Sequence, residues 1–299
     1  MTTNPLSRNN LTGYLFTLPW IVKLIAVILF PMCMSFYMSF TKYDLLSPPI
    51  WTGASNYVRM FSQDKNFWLA VRYTLRYVVI SVPARLITSL LVATFLSGNR
   101  RGIGTYRTLL YIPSIIGGSV AVAITWRYLF GTNSVINDLL LKLGIIHKSI
   151  AWLSNPHYAI YTLILLGMWQ FGSSMLIFLA GIKNIPHSYH EAAIVDGGNA
   201  VQRYFHITLP MLSPVLLFNL VMQTIDSFMV FTQSLLVTNG GPLRTTTFYN
   251  LYLYTKAFND FDMGYASAMA WVLLVAIAVV TGFIFKSSGR WVYYESEEG

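Results

Sequence analysis

Charged side chains are scarce in this sequence of 299 residues: they make up 10% of it, whereas hydrophobic residues make up 55%. A soluble domain carries roughly 25% charged residues, because water must solvate its surface. A large soluble core would also need polar surface residues at helical spacing. The chain instead has apolar stretches of about 20 residues, the length that crosses a bilayer core. The composition therefore excludes an ordinary soluble protein and predicts an all-α, polytopic membrane protein.

Cysteine and the common catalytic motifs are also nearly absent. The single Cys33 lies in an apolar stretch, which excludes an intramolecular disulfide and a cysteine-based metal cluster. No G-x-x-x-x-G-K-[ST], H-E-x-x-H or G-x-S-x-G pattern occurs. His187 and His190 stand beside Glu191, but such a loop trio is more often solvated than metal-binding. We therefore expect no catalytic residues, no metal and no cofactor in this chain.

Acidic residues are fewer than basic ones, 11 against 20, which gives a net charge of +9. The basic residues are scattered between hydrophobic segments and form neither a stripe nor a tail, so a nucleic-acid partner is not indicated. Contact with anionic lipid headgroups explains the excess better.

Six membrane spans can be drawn from the apolar stretches. They cover residues 14–40, 77–96, 109–130, 158–181, 211–237 and 264–285. The sequence thus predicts a cytoplasmic N-terminal segment (1–13), one transmembrane domain (14–286) and a cytoplasmic C-terminal tail (287–299).

The orientation follows from charge and parity. An even number of spans puts both termini on one side. Arg100, Arg101 and Arg107 crowd the short second loop, which favours the cytoplasm for that loop and for both termini. In the opposite, longer loops, residues 133–144 predict a short amphipathic helix with Asn133 or Ser134 as its cap.

Polar side chains interrupt the fourth and fifth predicted spans. Asn219, Gln223 and Asp226 are spaced four and three residues apart, which predicts one helical face. A second mixed face combines Trp169, Gln170, Ser173 and Ser174. Amides, carboxylates and aromatic rings suit a carbohydrate path, but the same groups can hydrogen-bond to other helices and hold the bundle together. Both interpretations stay open here, and Asp226 is also one candidate acidic partner for the intramembrane Arg85.

The loop between these spans, residues 182–209, predicts a helix, a turn and a second helix. Pro186 suits a helix start, Gly197 and Gly198 end the helix, and an amphipathic run begins near Ala200. An exposed helical hairpin of this kind is shaped to fit a groove on a soluble partner.

The residues of this loop carry a family resemblance. Glu191-Ala192-Ala193, three residues, Gly197 and then Ile207-Thr-Leu-Pro210 resemble the EAA loop of permease subunits of binding-protein-dependent ABC importers. Three further stretches resemble the carbohydrate-uptake branch, which includes the maltose and glycerol-phosphate permeases: Tyr111-Ile-Pro-Ser-Ile-Ile-Gly-Gly118, Thr238-Asn-Gly-Gly-Pro242 with Thr245, and Gly264-Tyr-Ala-Ser-Ala268. His190 and Arg72-Tyr73-Thr74 depart from the usual pattern, which leaves the subgroup open.

The resemblance implies a type I ABC importer permease fold and a coupling helix that docks into a separate ATP-binding subunit. The residues that it places at this contact are Glu191, Ala192, Ala193, Asp196 and Gly197. The implied partners are a second related permease, two ATP-binding subunits that hold ATP and Mg, and an extracytoplasmic binding protein, in a bacterial inner membrane. The implied substrate is a di- or oligosaccharide.

Other classes remain as alternatives. An ion-coupled secondary sugar carrier would need paired intramembrane acids or broken helices around an ion site, and Asp226 alone supplies little of that. An ABC importer for glycerol phosphate or another solute would share the same loop. An intramembrane enzyme would need an acidic or histidine constellation near one interface, which the sequence lacks.

Overall fold

The structure is a computed structural model that describes residues 15–98 and 101–293. The predicted N-terminal segment 1–13, Arg100 and the end of the tail from residue 294 lie outside the described residues. The helices are α1 (Leu15–Ser39), α2 (Ser55–Ser62), α3 (Lys65–Leu96), α4 (Ile103–Ile116), α5 (Val120–Leu129), α6 (Val135–Lys142), α7 (Ala159–Trp169), α8 (Gly172–Asn184), α9 (His187–Val195), α10 (Ala200–Met211), α11 (Ser213–Phe228), α12 (Tyr249–Tyr254) and α13 (Met263–Ser288). Short π-helical turns cover Ser234–Thr238 and Thr255–Asn259, and Thr41–Lys42 pairs antiparallel with Ile50–Trp51 as β1 and β2.

The helices that could cross a membrane fall into two kinds. Three of them, α1, α3 and α13, are long and apolar enough to cross one by themselves. Three bent pairs, α4 with α5, α7 with α8 and α10 with α11, pass the same test together. If each pair is one span, the described part of the chain has six spans, the number predicted, but the fifth then begins at Ala200, within the loop predicted for residues 182–209.

The third predicted span is not one helix. Its two halves, α4 and α5, meet at an angle of 99°. Gly117 and Gly118 disfavour a continuous helix there, and Ser119 adopts an extended backbone and caps α5 by accepting a hydrogen bond from the Val122 amide at 3.3 Å. The hydropathy of residues 109–130 predicts only that they are apolar, and these local signals set the bend.

Other boundaries also differ from the prediction. The helix of the second span begins at Lys65, twelve residues before its apolar part, and extends over 32 residues, about 48 Å. The fourth span bends by 44° between α7 and α8. The fifth bends by 64° before α11, whose first turn holds Pro214, and α11 ends at Phe228 rather than continuing to residue 237.

The described residues divide into two compact units, 15–64 with 253–274 and 65–252 with 275–293. In the first unit, buried Asn56 donates to the carbonyl oxygens of Ser39 and Thr41, both at 2.9 Å, and so ties α2 to the end of α1. Arg59 bonds Asp262 at 2.5 Å and lies 4.0 Å from the centre of the Tyr265 ring. These polar contacts hold the β1–β2 hairpin, α2 and the start of α13 together.

The second unit has an aromatic and aliphatic core. Its fully buried members include Tyr77, Ile160, Leu163, Leu166 and Phe248. These residues come from α3, α7 and the segment before α12, so the core joins elements far apart in the sequence.

The loop between the third and fourth spans contains the predicted amphipathic helix as α6, capped by Ser134 and followed by Gly144 at φ +68°. Asn137, a residue of α6, is fully buried. Its Nδ2 donates to the carbonyls of Thr132 (2.8 Å), Ile150 (2.9 Å) and Gly131 (3.3 Å). Its Oδ1 accepts from the Trp152 indole at 2.9 Å and from the Ile150 amide at 3.2 Å. One side chain thus fixes both ends of this loop.

Candidate functional site

The connection between the fourth and fifth spans folds as the predicted helix, turn and helix. Pro186 precedes the first turn of α9 with an extended ψ of 134°, and the neighbouring Ile185 is buried. Gly197 then adopts φ +80°, a left-handed conformation that glycine enters without steric cost. Asn199 and Gln202 form a reciprocal capping box that starts α10.

The predicted contact residues lie together on this hairpin. Glu191, Ala192, Asp196 and Gly197 are exposed, and Ala193 is half-buried. Within residues 15–98 and 101–293, neither Glu191 nor Asp196 takes part in an ion pair. An exposed acid beside two small residues leaves a surface that another chain can approach closely.

Apolar side chains extend the same surface. Val195 is 86% exposed and Ile194 is 55% exposed, and Val201 and Phe205 on α10 are exposed as well. A short helix that presents both an acid and apolar side chains has the composition of a segment that docks in a groove.

Polar residues in the membrane-spanning part form a chain of hydrogen bonds that joins four helices, α3, α7, α8 and α11. The Arg85 guanidinium on α3 donates from Nε to the Gly167 carbonyl at 2.9 Å and from Nη1 to Oε1 of Gln223 on α11. Gln223 Nε2 in turn donates to Ser174 Oγ on α8 at 2.7 Å. Asn219, one turn before Gln223, is almost fully buried and donates to the Val215 carbonyl of its own helix at 3.1 Å.

Gln170 links two of the helix breaks. It stands between α7 and α8, and its Nε2 donates to the Gly117 carbonyl at 3.0 Å in the break between α4 and α5. Its own carbonyl accepts from Ser114 Oγ at 3.0 Å. Trp169 packs nearby, with its ring centre 5.9 Å from that of Trp126. The two bent spans are therefore joined where each one bends.

A family model supplies the assignment. The model described as "Binding-protein-dependent transport system inner membrane component" matches residues 70–292. The chain belongs to this family. The permease is therefore a membrane-embedded transport component.

Relatives of this permease align with its sequence along nearly its whole length. It is 54% identical to the "Probable ABC transporter permease protein YesP" of Bacillus subtilis (strain 168), over 97% of this chain and 94% of the relative. It is 34% identical to the "Arabinooligosaccharides transport system permease protein AraP" of the same organism, over 92% and 88%. It is 31% identical to the "Lactose transport system permease protein LacF" of Rhizobium radiobacter, over 93% and 94%.

A solved structure shares the fold of the permease. A bacterial ABC transporter involved in the import of the acidic polysaccharide alginate contains a chain that superposes with a TM-score of 0.81 at 23% identity, over 95% of this chain and 96% of that one. The expected type I importer fold is thus confirmed at the level of architecture.

The structure separates the residues of the predicted polar face in the permease by burial. Asn219 and Gln223 are buried, but Asp226 is exposed, on the stripe that it shares with exposed Phe218 and Met222. The seven-residue spacing from 219 to 226 keeps Asp226 within about 20° of Asn219 round the helix, so the three residues share one side of α11 and only their burial differs. Within the described residues no ion pair joins Arg85 to Asp226. The Arg85 guanidinium instead donates hydrogen bonds to Gln223 and to the Gly167 carbonyl.

Sequence reasoning missed the glycines that make the network possible. A methyl group on Gly167 would lie 2.9 Å from the Tyr77 hydroxyl and 3.0 Å from Arg85 Nη2, and one on Gly117 would lie 2.4 Å from Gln170 Cγ. Small residues within apolar spans are the signal that could have indicated these close approaches. Whether Asn219, Gln223, Asp226, Trp169 and Gln170 also line a substrate path stays a prediction.

Proposed function

We propose that this permease is one of two related membrane subunits of an ATP-driven importer, and that it moves a di- or oligosaccharide from an extracytoplasmic binding protein into the cytoplasm. Two separate ATP-binding subunits hold ATP and Mg, and this chain does no bond-making chemistry. The observation that carries the proposal is α9, a short exposed helix with apolar residues at its end and an acid that forms no ion pair with any other described residue.

The contact with the ATP-binding subunit follows from the surface of α9. Glu191 gives a directional, charge-assisted bond to a basic residue of the partner, and Ala192 and Ala193 allow a close approach. Ile194 and Val195 add apolar area that becomes buried in a groove. The polar and apolar parts together suit a stable but reversible docking site.

Motion of α9 reaches the membrane through the chain itself. The turn at Gly197 leads into α10, and α10 leads into α11 through the bend of 64°. Gln223, three turns further on, bonds Arg85 of α3. Closure of the ATP-binding pair would thus tilt α11 against α3 and α8, a rigid-body route to alternating access.

The substrate class is inferred from relatives. Two of them are named for lactose and arabinooligosaccharide transport, and both match over more than 90% of this chain. A neutral carbohydrate needs hydrogen-bonding groups beside aromatic faces, which the Trp169–Gln170 pair provides at the junction of the two bent spans. Glycerol phosphate or another solute is the second candidate.

The proposed orientation puts both termini and α9 in the cytoplasm of a bacterial cell, with the permease in the inner membrane. Six spans place α9 on the same side as the termini. The basic Arg101 and Arg107 of the second loop support this side as the cytoplasmic one.

The test is sugar uptake into lipid vesicles that contain this chain with the second permease and ATP-binding subunits that are expressed with it. The binding protein and one sugar of a panel are supplied outside, and ATP inside. We expect ATP hydrolysis and uptake that both depend on the binding protein and on one class of sugar. Uptake driven by an ion gradient without ATP would instead make the chain a secondary carrier, and stimulation by glycerol phosphate alone would replace the sugar as substrate.

A further inference from the structure

Two arginines stand one helical turn apart at the end of the apolar part of α3. Arg72 and Arg76 are both exposed, and neither forms an ion pair in the part of the chain that the structure describes. After Arg76, residues 77–96 contain a single charge, Arg85. These 20 residues extend about 30 Å as a helix, the thickness of a bilayer core. Arg76 therefore lies at the boundary between the hydrocarbon and the headgroups.

An apolar groove of about 370 Å³ begins beside this boundary. Its α3 wall is formed by Ile80 and Ala84, which continue the four-residue spacing of Arg72 and Arg76 and so lie on the same stripe of the helix. The remaining lining residues come from Phe130 just after α5, from the loop before α7 and from α7, and they include Trp152, Tyr158 and Tyr161. No lining residue carries a charge, so the groove suits a hydrocarbon chain.

Arg76 is connected to the mouth of the groove. Its Nη2 donates to the Tyr161 hydroxyl at 2.9 Å, and its Cζ lies 5.3 Å from the centre of the Tyr161 ring. Tyr161 is itself 46% exposed and lines the groove. The Arg76 guanidinium is thereby held above an opening whose walls are aliphatic and aromatic, with the amphipathic rings of Trp152 and Tyr158 at the headgroup level.

We propose that this groove binds an acyl chain of an anionic phospholipid, whose phosphate is held by Arg72 and Arg76. An apolar groove at hydrocarbon depth takes either a lipid tail or another helix. Arg76, which bonds the groove residue Tyr161, and Arg72 one turn before it have no acidic partner within the described residues. They favour a lipid with a net negative headgroup over a zwitterionic one, because the latter brings its own cation. Arginine also binds phosphate oxygens in a bidentate manner, which adds geometric selectivity.

The proposal is tested by native mass spectrometry of the full chain released from micelles that contain equal amounts of phosphatidylglycerol and phosphatidylcholine with identical acyl chains. We expect retained phosphatidylglycerol to exceed phosphatidylcholine about tenfold, the effect of one to two cations near a headgroup. The double variant Arg72→Gln, Arg76→Gln should bring the ratio close to one. The double variant Arg72→Lys, Arg76→Lys should keep most of the preference, because it keeps the charge.

Matched variants separate this site from general effects. Arg127→Gln removes another exposed arginine at the end of a membrane-spanning pair, and it should leave the ratio unchanged. Ala84→Phe fills the groove and should reduce retention of both lipids. Val79→Phe introduces the same side chain at a position of α3 that is 69% exposed, and it should leave the retention of both lipids unchanged. Helix content by circular dichroism checks that each variant is folded.

Several outcomes would overturn the proposal. An equal ratio of the two lipids in the unmodified chain would remove the charge selectivity. Displacement of the lipid by inorganic phosphate would show a site for the free anion rather than for the lipid. Loss of bound lipid when the chain is purified together with its second permease and ATP-binding subunits would show that a protein helix occupies the groove.

Discussion

The guanidinium of Arg85 donates a hydrogen bond to the side-chain oxygen of Gln223, and this bond joins α3 to α11 within the membrane-spanning part. Gln223 Nε2 in turn donates a hydrogen bond to Ser174 Oγ of α8 at 2.7 Å. A buried cation with neutral partners is stable only if its donors are well satisfied, since hydrocarbon offers no water to replace them. The network is therefore sensitive to the loss of any one member.

Replacing Gln223 with leucine should destabilise the permease. The leucine keeps the approximate volume but leaves the Arg85 guanidinium and the Ser174 hydroxyl without this partner, a loss of about 2–3 kcal/mol for a buried group bonded to a charge. We expect a lower midpoint of thermal unfolding in detergent. The control is Asp226→Asn on the exposed side of the same helix, which should unfold like the unmodified chain. Equal midpoints for the two variants would remove the structural role of the Arg85–Gln223 bond.

Charge reversal at Glu191 should uncouple ATP hydrolysis from uptake without preventing membrane insertion. Glu191 is exposed, so Glu191→Lys disturbs no buried contact, and it replaces the proposed attraction to a basic residue of the ATP-binding subunit with repulsion. We expect uptake in vesicles to fall at least tenfold while the amount of inserted protein stays the same. Asp138→Lys on α6 makes the same charge change at an exposed site outside the hairpin and should transport normally. Unaltered uptake by Glu191→Lys would exclude the coupling role.

The helical hairpin could be predicted from sequence because its signals are local. Pro186, Gly197 and the Asn199 cap act on their own backbone, and α9 and α10 begin and end where these residues place them. The number of spans likewise follows from apolar length alone, once each bent pair is taken as one span.

The polar cluster could be predicted only in part, because its partners are far apart in the sequence. The spacing of Asn219, Gln223 and Asp226 indicates a shared face but not which side of the helix becomes buried. That side is set by Ser174 and Arg85, which lie 49 and 138 residues from Gln223. The junction between two of the bent spans depends similarly on a long-range contact, the hydrogen bond from Gln170 to the Gly117 carbonyl.

Gly117 should tolerate no side chain, although its backbone conformation (φ −62°, ψ −23°) is ordinary for alanine. An added methyl group would lie 2.4 Å from Gln170 Cγ and 2.6 Å from the Pro113 carbonyl oxygen. Gly117→Ala should therefore push Gln170 away and cost about 1–3 kcal/mol of stability, as overpacking does. Gly118→Ala is the matched control, because open space surrounds that position. Thermal unfolding of both variants in detergent measures the difference, and a tolerated Gly117→Ala would show that Gln170 can move freely.

Asn137 should be the least replaceable residue of the loop between the third and fourth spans. Asn137→Ala removes five hydrogen bonds at once, three from Nδ2 to backbone carbonyls and two to Oδ1. Several of these groups stay buried and unsatisfied, so we expect a loss of about 3 kcal/mol or more and faster protease cleavage between residues 131 and 152. Asn133→Ala, four residues earlier and exposed, should change neither the stability nor the cleavage.

A second variant, Asn137→Asp, tests the Nδ2 donations alone. It keeps an acceptor for the Ile150 amide and the Trp152 indole, but it turns a carboxylate oxygen toward three carbonyls. If Asn137→Asp were as stable as the unmodified chain, the Nδ2 donations would not be what holds the loop closed.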